Sequence, residues 1–268
     1  MGCYDFFLME RSSLQLMSRG PFRADQIRSG DPYELSNGHP ILCLPRSGRR
    51  AKAVSVGASV LASDPAGLDV GVDVGFSPSP EILRAPDMSV GEIPDEPGWA
   101  QGAPPLAVEY ADTGQDEADL KIKIQELFAA GTRYVWVVRL TGPRRVEVHQ
   151  PGQAMRSVNP DELLEAPGIL ANPVPVKALY DRETANQVIF RNLLQREGYA
   201  SLDAVRAEGE AQTLREAVID VLTARGFTVS DNLRTALAGC GDPAVLRSVH
   251  RQSVIASSVV EIVDSLRD

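Results

Sequence analysis

The chain has 268 residues, 43% of them apolar and 24% charged, which is enough to bury a full core in one main domain with an appendage. A formal charge of −9 argues against a general polyanion binder, because non-specific nucleic-acid affinity comes from many Lys and Arg contacts to phosphate. Cys3, Cys43 and Cys240 are scattered and lack C-x-x-C spacing, which leaves no disulfide framework or zinc site, and no apolar run approaches the ~20 residues of a membrane span.

A reducing cytoplasm is therefore the expected location. The opening lacks the basic region of a signal peptide, and Met1-Gly2-Cys3 fails the lipidation pattern because Phe6 stands where Ser or Thr is needed. Residues 1–30 have no clean periodicity and are expected to be an extension. Asp31 to Gly38 reads as turn, short apolar segment and turn, the entry to a sheet. Over 49–62, Val54, Gly57, Val60 and Leu61 fall at helical spacing. Gly67 to Phe76 alternates acids and glycines against Leu68, Val70, Val72 and Val74, which predicts a half-buried strand; the D-x-G repetition does not match an EF-hand loop. Glu81 to Val90 is the next expected strand, with Pro86-Asp87 at its middle implying an edge or a bulge. Residues 91–105 are a loop.

From Pro105 the pattern becomes strand, helix, strand. Leu106 to Ala111 is an apolar run interrupted by Glu109, a carboxylate where a buried strand would carry an aliphatic residue. Leu120, Ile124, Leu127 and Phe128 then mark one helix face, ended by Gly131, and Tyr134 to Val138 returns as a strand. Asp119 and Lys123 stand one turn apart beside that apolar face. Lys121 lies about 200° around the helix from Lys123, so only one of the two lysines can face the sheet.

Arg145 to His149 is one further strand, closing a mixed sheet of five or six strands flanked by helices. Residues 151–180 are proline-punctuated and expected to connect to a helical module over 181–268, with stripes at 183–197, 212–225, 231–238 and 243–265. His39, His149 and His250 show no metal-binding pairing, and no nucleophile elbow, P-loop or dinucleotide fingerprint is present.

Charge is unevenly placed. Residues 1–60 carry eight Lys/Arg against five Asp/Glu, whereas 61–130 carry three against fourteen. Such an acid excess suits either a divalent-cation site or a plain solvated face. The basic cluster of Arg46, Arg49, Arg50 and Lys52 stands apart from it and is expected to flank a cleft and touch phosphates.

Five short motifs in order carry a resemblance: Tyr33-Glu34-Leu35 with Gly38, Pro86-Asp87, Glu109-Tyr110, Asp119 with Lys123 and then Gly131, and Trp136-Val137-Val138. Across about residues 31–140 the chain resembles the Uma-two family of restriction-endonuclease type, within the PD-(D/E)XK phosphodiesterase superfamily. Ala111 stands where that superfamily usually has its lysine, and Lys123 on the following helix takes its place, as in Uma-two proteins. Leu127, Asp112 and Arg139 replace the family's usual Tyr, Ser and Asp.

The resemblance implies an α/β restriction-endonuclease-like core at 31–150 and a metal-dependent endonuclease acting on DNA, with Mg²⁺ or Mn²⁺ as cofactor and a homodimer as the expected assembly. Phosphodiester hydrolysis needs an activated water and a sink for charge on the phosphoryl oxygens, and a carboxylate-held cation supplies both. Asp87, Glu109 and the Tyr110 carbonyl would hold it, Lys123 would assist the water, and Glu34 and Asp119 would support them. The plainer alternatives are a metal-free Glu109–Lys123 ion pair, Asp87 as a turn residue, and Asp119 paired with Lys123 on the helix surface. A degenerate nuclease fold acting as a scaffold through its helical module is the competing function.

Overall fold

Two strands of strict alternation set the architecture of this protein, seen in a computed structural model that describes residues 20–266. Strand β8 (Leu106–Ala111) sends Leu106, Val108 and Tyr110 to one face of a sheet and Ala107, Glu109 and Ala111 to the other. Strand β9 (Tyr134–Arg139) runs parallel to it and divides in the same way, Trp136 and Val138 against Val135 and Val137. The first face packs on helix α1 (Gly48–Ala62) through Val54 and Leu61. The second packs on helix α2 (Glu117–Ala129), the β8–β9 crossover, through Leu120, Ile124 and Leu127. Full burial of such aliphatic and aromatic side chains stabilises by about 1.5–3 kcal/mol each, so a carboxylate among them needs a partner.

The central sheet has six strands. Its order is β11 (Arg156–Val158), β10 (Arg145–His149), β9, β8, β6 (Met88–Gly91) and β3 (Asp69–Val72), with β8–β9 its parallel pair. A second sheet holds β2 (His39–Leu42), β1 (Tyr33–Ser36), β5 (Ile82–Arg84), β4 (Phe76–Ser79) and β7 (Ala100–Gln101), in that order. The mixed sheet between helices is thus present, but the N-terminal strands form a sheet of their own. The expected strand over 81–90 is two strands, because Pro86 cannot donate to a ladder and the chain changes sheets at Ala85-Pro86-Asp87. The expected strand over 67–76 likewise ends at Val72, and Asp73 takes a left-handed φ of 53°.

The chain divides into two compact units, with the boundary between Leu193 and Leu194. Residues 151–180, expected as a connector, contain β11, β12 (Leu163–Leu164) and β13 (Val174–Pro175), and they bury Val158, Leu164, Ile169 and Leu179 in the core of the first unit. Helix α3 (Arg182–Arg196) adds Ala185 and Val188 to that core. The second unit is helical: α4 (Leu202–Ala224), α5 (Asp231–Gly239), α6 (Pro243–Ser253) and α7 (Val259–Asp264) enclose Val218, Leu222, Leu237, Val249 and Ile262. The single stripe expected over 243–265 is two helices, separated by a break around residues 254–258.

Among the described residues, no helix is long and apolar enough to cross a membrane. The Met1-Gly2-Cys3 reading, and the extension as far as residue 19, lie outside the described residues. Ala24 and Ile27, within the expected extension, pack on Leu35 and Leu83 of the second sheet.

Candidate active site

The change of sheets at Pro86 delivers Asp87 to the end of β6, where the antiparallel register pairs Met88 with Val108. Continued by one residue, that register sets Asp87 opposite Glu109, and both are buried, 4% and 5% exposed. The Tyr110 N–H donates to Asp87 Oδ2 at 2.6 Å, fixing the carboxylate against β8. The Tyr110 ring turns to the opposite face, where its hydroxyl donates to the Leu179 carbonyl at 2.8 Å.

Arg50 supplies the cation between the two acids. Its Nη2 donates to both oxygens of Asp87 at 2.8 and 2.7 Å and lies 3.9 Å from Glu109 Oε2. The guanidinium thus bridges two carboxylates while only 5% exposed. The sequence pattern groups Arg50 with the phosphate contacts that flank a cleft; the structure has it lining the cleft but buried against Asp87 and Glu109. Its spacing to Val54, Gly57 and Leu61, four, seven and eleven residues on, places it on the buried stripe of α1, and this is the signal the sequence holds. Of its neighbours, Arg46 and Lys52 are exposed, and Arg49 is tied to Asp112, which also accepts from Ser47 at 2.8 Å. Arg49 holds the Asp112 carboxyl well below the usual carboxylate range against the opposing push of burial, helped by the Ser47 hydroxyl and the Thr113 N–H.

On the other side of Glu109 stands Lys123, which is buried, whereas Lys121 is exposed. Its Nζ lies 2.7 Å from Glu109 Oε1, 2.9 Å from Glu34 Oε1 and 2.7 Å from the Ala85 carbonyl. Asp119 does not pair with it. Asp119 instead meets Arg84 at 3.4 Å, and Arg84, 1% exposed, also binds Glu34 at 3.1 Å and Glu126 at 2.5 Å. Arg84 is absent from the sequence-predicted site, although a charged residue at the end of a strand bounded by Pro86 carries the same kind of signal as Glu109.

Three buried acids (Glu34, Asp87 and Glu109) therefore face three buried cations (Arg50, Arg84 and Lys123). Burial pushes Glu109 up to about 7, opposed by Lys123 and reinforced by Asp87 and Glu34. Glu34 also meets a burial penalty, but Lys123 and Arg84 outweigh it and hold its carboxyl below the ordinary value. Lys123 is held charged, because Glu109 and Glu34 overcome its desolvation. A cleft of about 380 Å³ opens on Glu34, Arg50, Glu109 and Lys123, with Arg46 and Asp116 at its rim. Among the described residues, no three Asp, Glu, His or Cys side chains are arranged to hold a metal ion.

A family model described as "Uma2: Putative restriction endonuclease" matches residues 22–177. The fold is similar to that of a putative nuclease belonging to DUF820 from Anabaena variabilis ATCC 29413, at 19% identity and a TM-score of 0.52 over 62% of this chain and 99% of that one. A DrdV–DNA complex matches far more loosely, at 11% identity and a TM-score of 0.26 over 79% of this chain and 20% of that one. No curated protein matches the chain.

Proposed function

The chain belongs to the Uma2 family, described as putative restriction endonucleases, and from that premise we propose that it is a divalent-metal-dependent phosphodiesterase that cuts DNA. The observation that carries this reading is the pair Asp87 and Glu109: two buried carboxylates on adjacent strands that already share one cation, with an ammonium against the second acid.

That donor set fits Mg²⁺ or Mn²⁺. Hard cations take oxygen ligands, and besides the two carboxylates there is the Tyr110 carbonyl. In an extended strand a residue's N–H and C=O point to the same side, and the Tyr110 N–H points at Asp87. A cation held there would polarise a bound water toward attack and supply positive charge for the phosphoryl oxygens.

The chain's own residues do the rest. Tyr110 N–H orients Asp87, while Glu34 and the Ala85 carbonyl aim the Lys123 ammonium along Glu109. Arg84 braces Glu34 from beneath. Lys123, kept charged, is suited to hold the attacking water and to stabilise negative charge on the phosphate. Arg46 and Lys52, exposed near the start of α1, are suited to phosphate contact. Each chain carries one such site, so cutting both strands of a duplex calls for a homodimer. The free Cys43 and Cys240 accord with a reducing cytoplasm.

The competing reading, a scaffold without catalysis, draws support from Arg50, which already stands between Asp87 and Glu109 where a metal would sit. Incubation with supercoiled, linear and single-stranded DNA in Mg²⁺ or Mn²⁺ separates the two. Cleavage that is lost on Asp87→Ala supports the nuclease. No cleavage of any substrate, together with no metal binding sensitive to Asp87→Ala, supports the scaffold.

A further inference from the structure

We propose that Arg50 is a built-in counter-ion that occupies the divalent-cation position, so that metal loading is an exchange in which the guanidinium leaves Asp87 and Glu109. The inference rests on the metal-dependent reading of the site above and adds to it a residue that sets how tightly the metal is held.

Charge comes first. Glu34, Asp87, Glu109 and, at 11% side-chain exposure against Arg84, Glu126 face the buried cations Arg50, Arg84 and Lys123, which leaves one acid in excess. A doubly charged ion turns that one negative charge into one positive charge in a medium of low polarity, and the departure of one resident cation cancels it.

Geometry decides which. Arg84 is 1% exposed and anchored to Glu34, Glu126 and Asp119. Lys123 is fastened by two carboxylates and the Ala85 carbonyl, and a cation beside Glu109 still leaves it Glu34 and that carbonyl. Arg50 has one full partner, Asp87, and the 3.9 Å contact to Glu109. Arg50 Nε and Arg84 Nη2 are both buried without a hydrogen-bond partner, so what separates them is that Arg84 has three carboxylates in reach and Arg50 one full partner. Arg50 also lines the cleft of about 380 Å³, so open space borders the guanidinium.

The position it would vacate is the one that a shared cation must fill. A single nitrogen, Nη2, contacts both Asp87 oxygens and faces Glu109. Once displaced into the cleft, the guanidinium needs a new anion, and a phosphodiester entering beside Arg46 provides it.

The test is a titration of the whole chain with Mn²⁺ alone, read by calorimetry and by the signal of free Mn²⁺, without DNA. If Arg50 competes for the position, Arg50→Gln binds Mn²⁺ at least about tenfold more tightly than the native chain, and Mn²⁺ raises its melting temperature by a larger margin. Asp87→Asn removes binding in both backgrounds. Arg50→Lys keeps the charge but is too short to bridge both acids, so it binds several-fold more tightly than native, and it decides the matter should Arg50→Gln fail to fold.

Equal or weaker Mn²⁺ binding by the Arg50 variants, in a chain whose native form binds Mn²⁺ through Asp87 and cuts DNA, overturns the exchange and leaves the nuclease reading standing. No Mn²⁺ binding by the native chain or by either Arg50 variant overturns both.

Discussion

Replacing Lys123 by Met is the most informative perturbation of the site, because it removes the charge and nearly keeps the volume. The ammonium donates to Glu34 and the Ala85 carbonyl at 2.9 and 2.7 Å and forms an ion pair with Glu109 at 2.7 Å, and the side chain is 6% exposed. Its loss leaves Glu34 and Glu109 short of a cation in the interior, and breaking a buried pair from one side costs about 3–5 kcal/mol. The cost depends on pH with a definite sign. In the folded chain Glu109 is raised from 4.5 to about 7, so its neutral form is favoured, and native stability from this group is lost as pH rises through that window. Lys123 opposes the rise, so removing it pushes Glu109 higher and extends the loss beyond pH 7. Burial pushes Glu34 up and Lys123 is the strongest influence holding it down, so the substitution moves Glu34 upward as well and adds to the loss in the same direction. Lys123→Met should therefore destabilise by a few kcal/mol at pH 8 and by clearly less at pH 5.5. Urea unfolding followed by tryptophan fluorescence measures this in the first unit alone, since both tryptophans, Trp99 and Trp136, belong to it. Cleavage should fall by about 10²-fold. Lys121→Ala, at an exposed position, should stay within about 0.5 kcal/mol of native and keep its activity. Equal destabilisation at the two pH values, or a Lys121→Ala as damaging as Lys123→Met, would refute the charge accounting.

Gly57→Ala should destabilise by about 1–3 kcal/mol although Ala is the better helix former, because the new Cβ runs into the Tyr110 hydroxyl and meets Met88 Cε at 3.1 Å and the Leu179 carbonyl at 3.3 Å; a melting temperature at or above native would show that the hydrogen bond from Tyr110 to Leu179 yields freely. Arg46→Ala with Lys52→Ala should weaken DNA binding and lower the slope of log affinity against log salt by about 2, since each phosphate neutralised on duplex DNA contributes about 0.9. An unchanged slope would mean that this end of α1 is merely solvated.

The fold is readable wherever one element carries its own period. The alternation of Leu106–Ala111 and the stripe of Leu120, Ile124 and Leu127 specify β8, α2 and the faces they bury without reference to anything distant. The division into two sheets is not readable, because pairing is non-local. Strand β5 joins β1 far back in the chain, setting Leu83 beside Leu35, while β6, which follows just after Pro86, joins β8. The strands of 151–180 are two or three residues long, too short to show a period, so Val158, Leu164 and Val174 look like apolar residues in a loop although they complete the core.

In the site, legibility follows the rule that a charge in an apolar pattern is there for a partner. Glu109 breaks a strand and Lys123 borders a helix stripe, and the two are 2.7 Å apart. Arg50 obeys the same rule, but it is hidden inside Arg-Ser-Gly-Arg-Arg-Ala-Lys, where uniform basicity suggests one exposed surface; only its spacing to Val54, Gly57 and Leu61 separates it from Arg49. Asp119 is drawn to the wrong partner by its sequence position, because spacing of four residues on a helix describes a surface pair and Lys123 turns inward to Glu34 and Glu109 instead. What sequence does not supply is the counting of charge across elements. Glu34 comes from β1, Arg84 from β5, Arg50 from α1 and Lys123 from α2, and their balance exists only once the two sheets have brought those elements to one cleft. Those cations are what allow the acids of this cleft to be buried without a metal, and a divalent ion entering between Asp87 and Glu109 meets the Arg50 guanidinium already there.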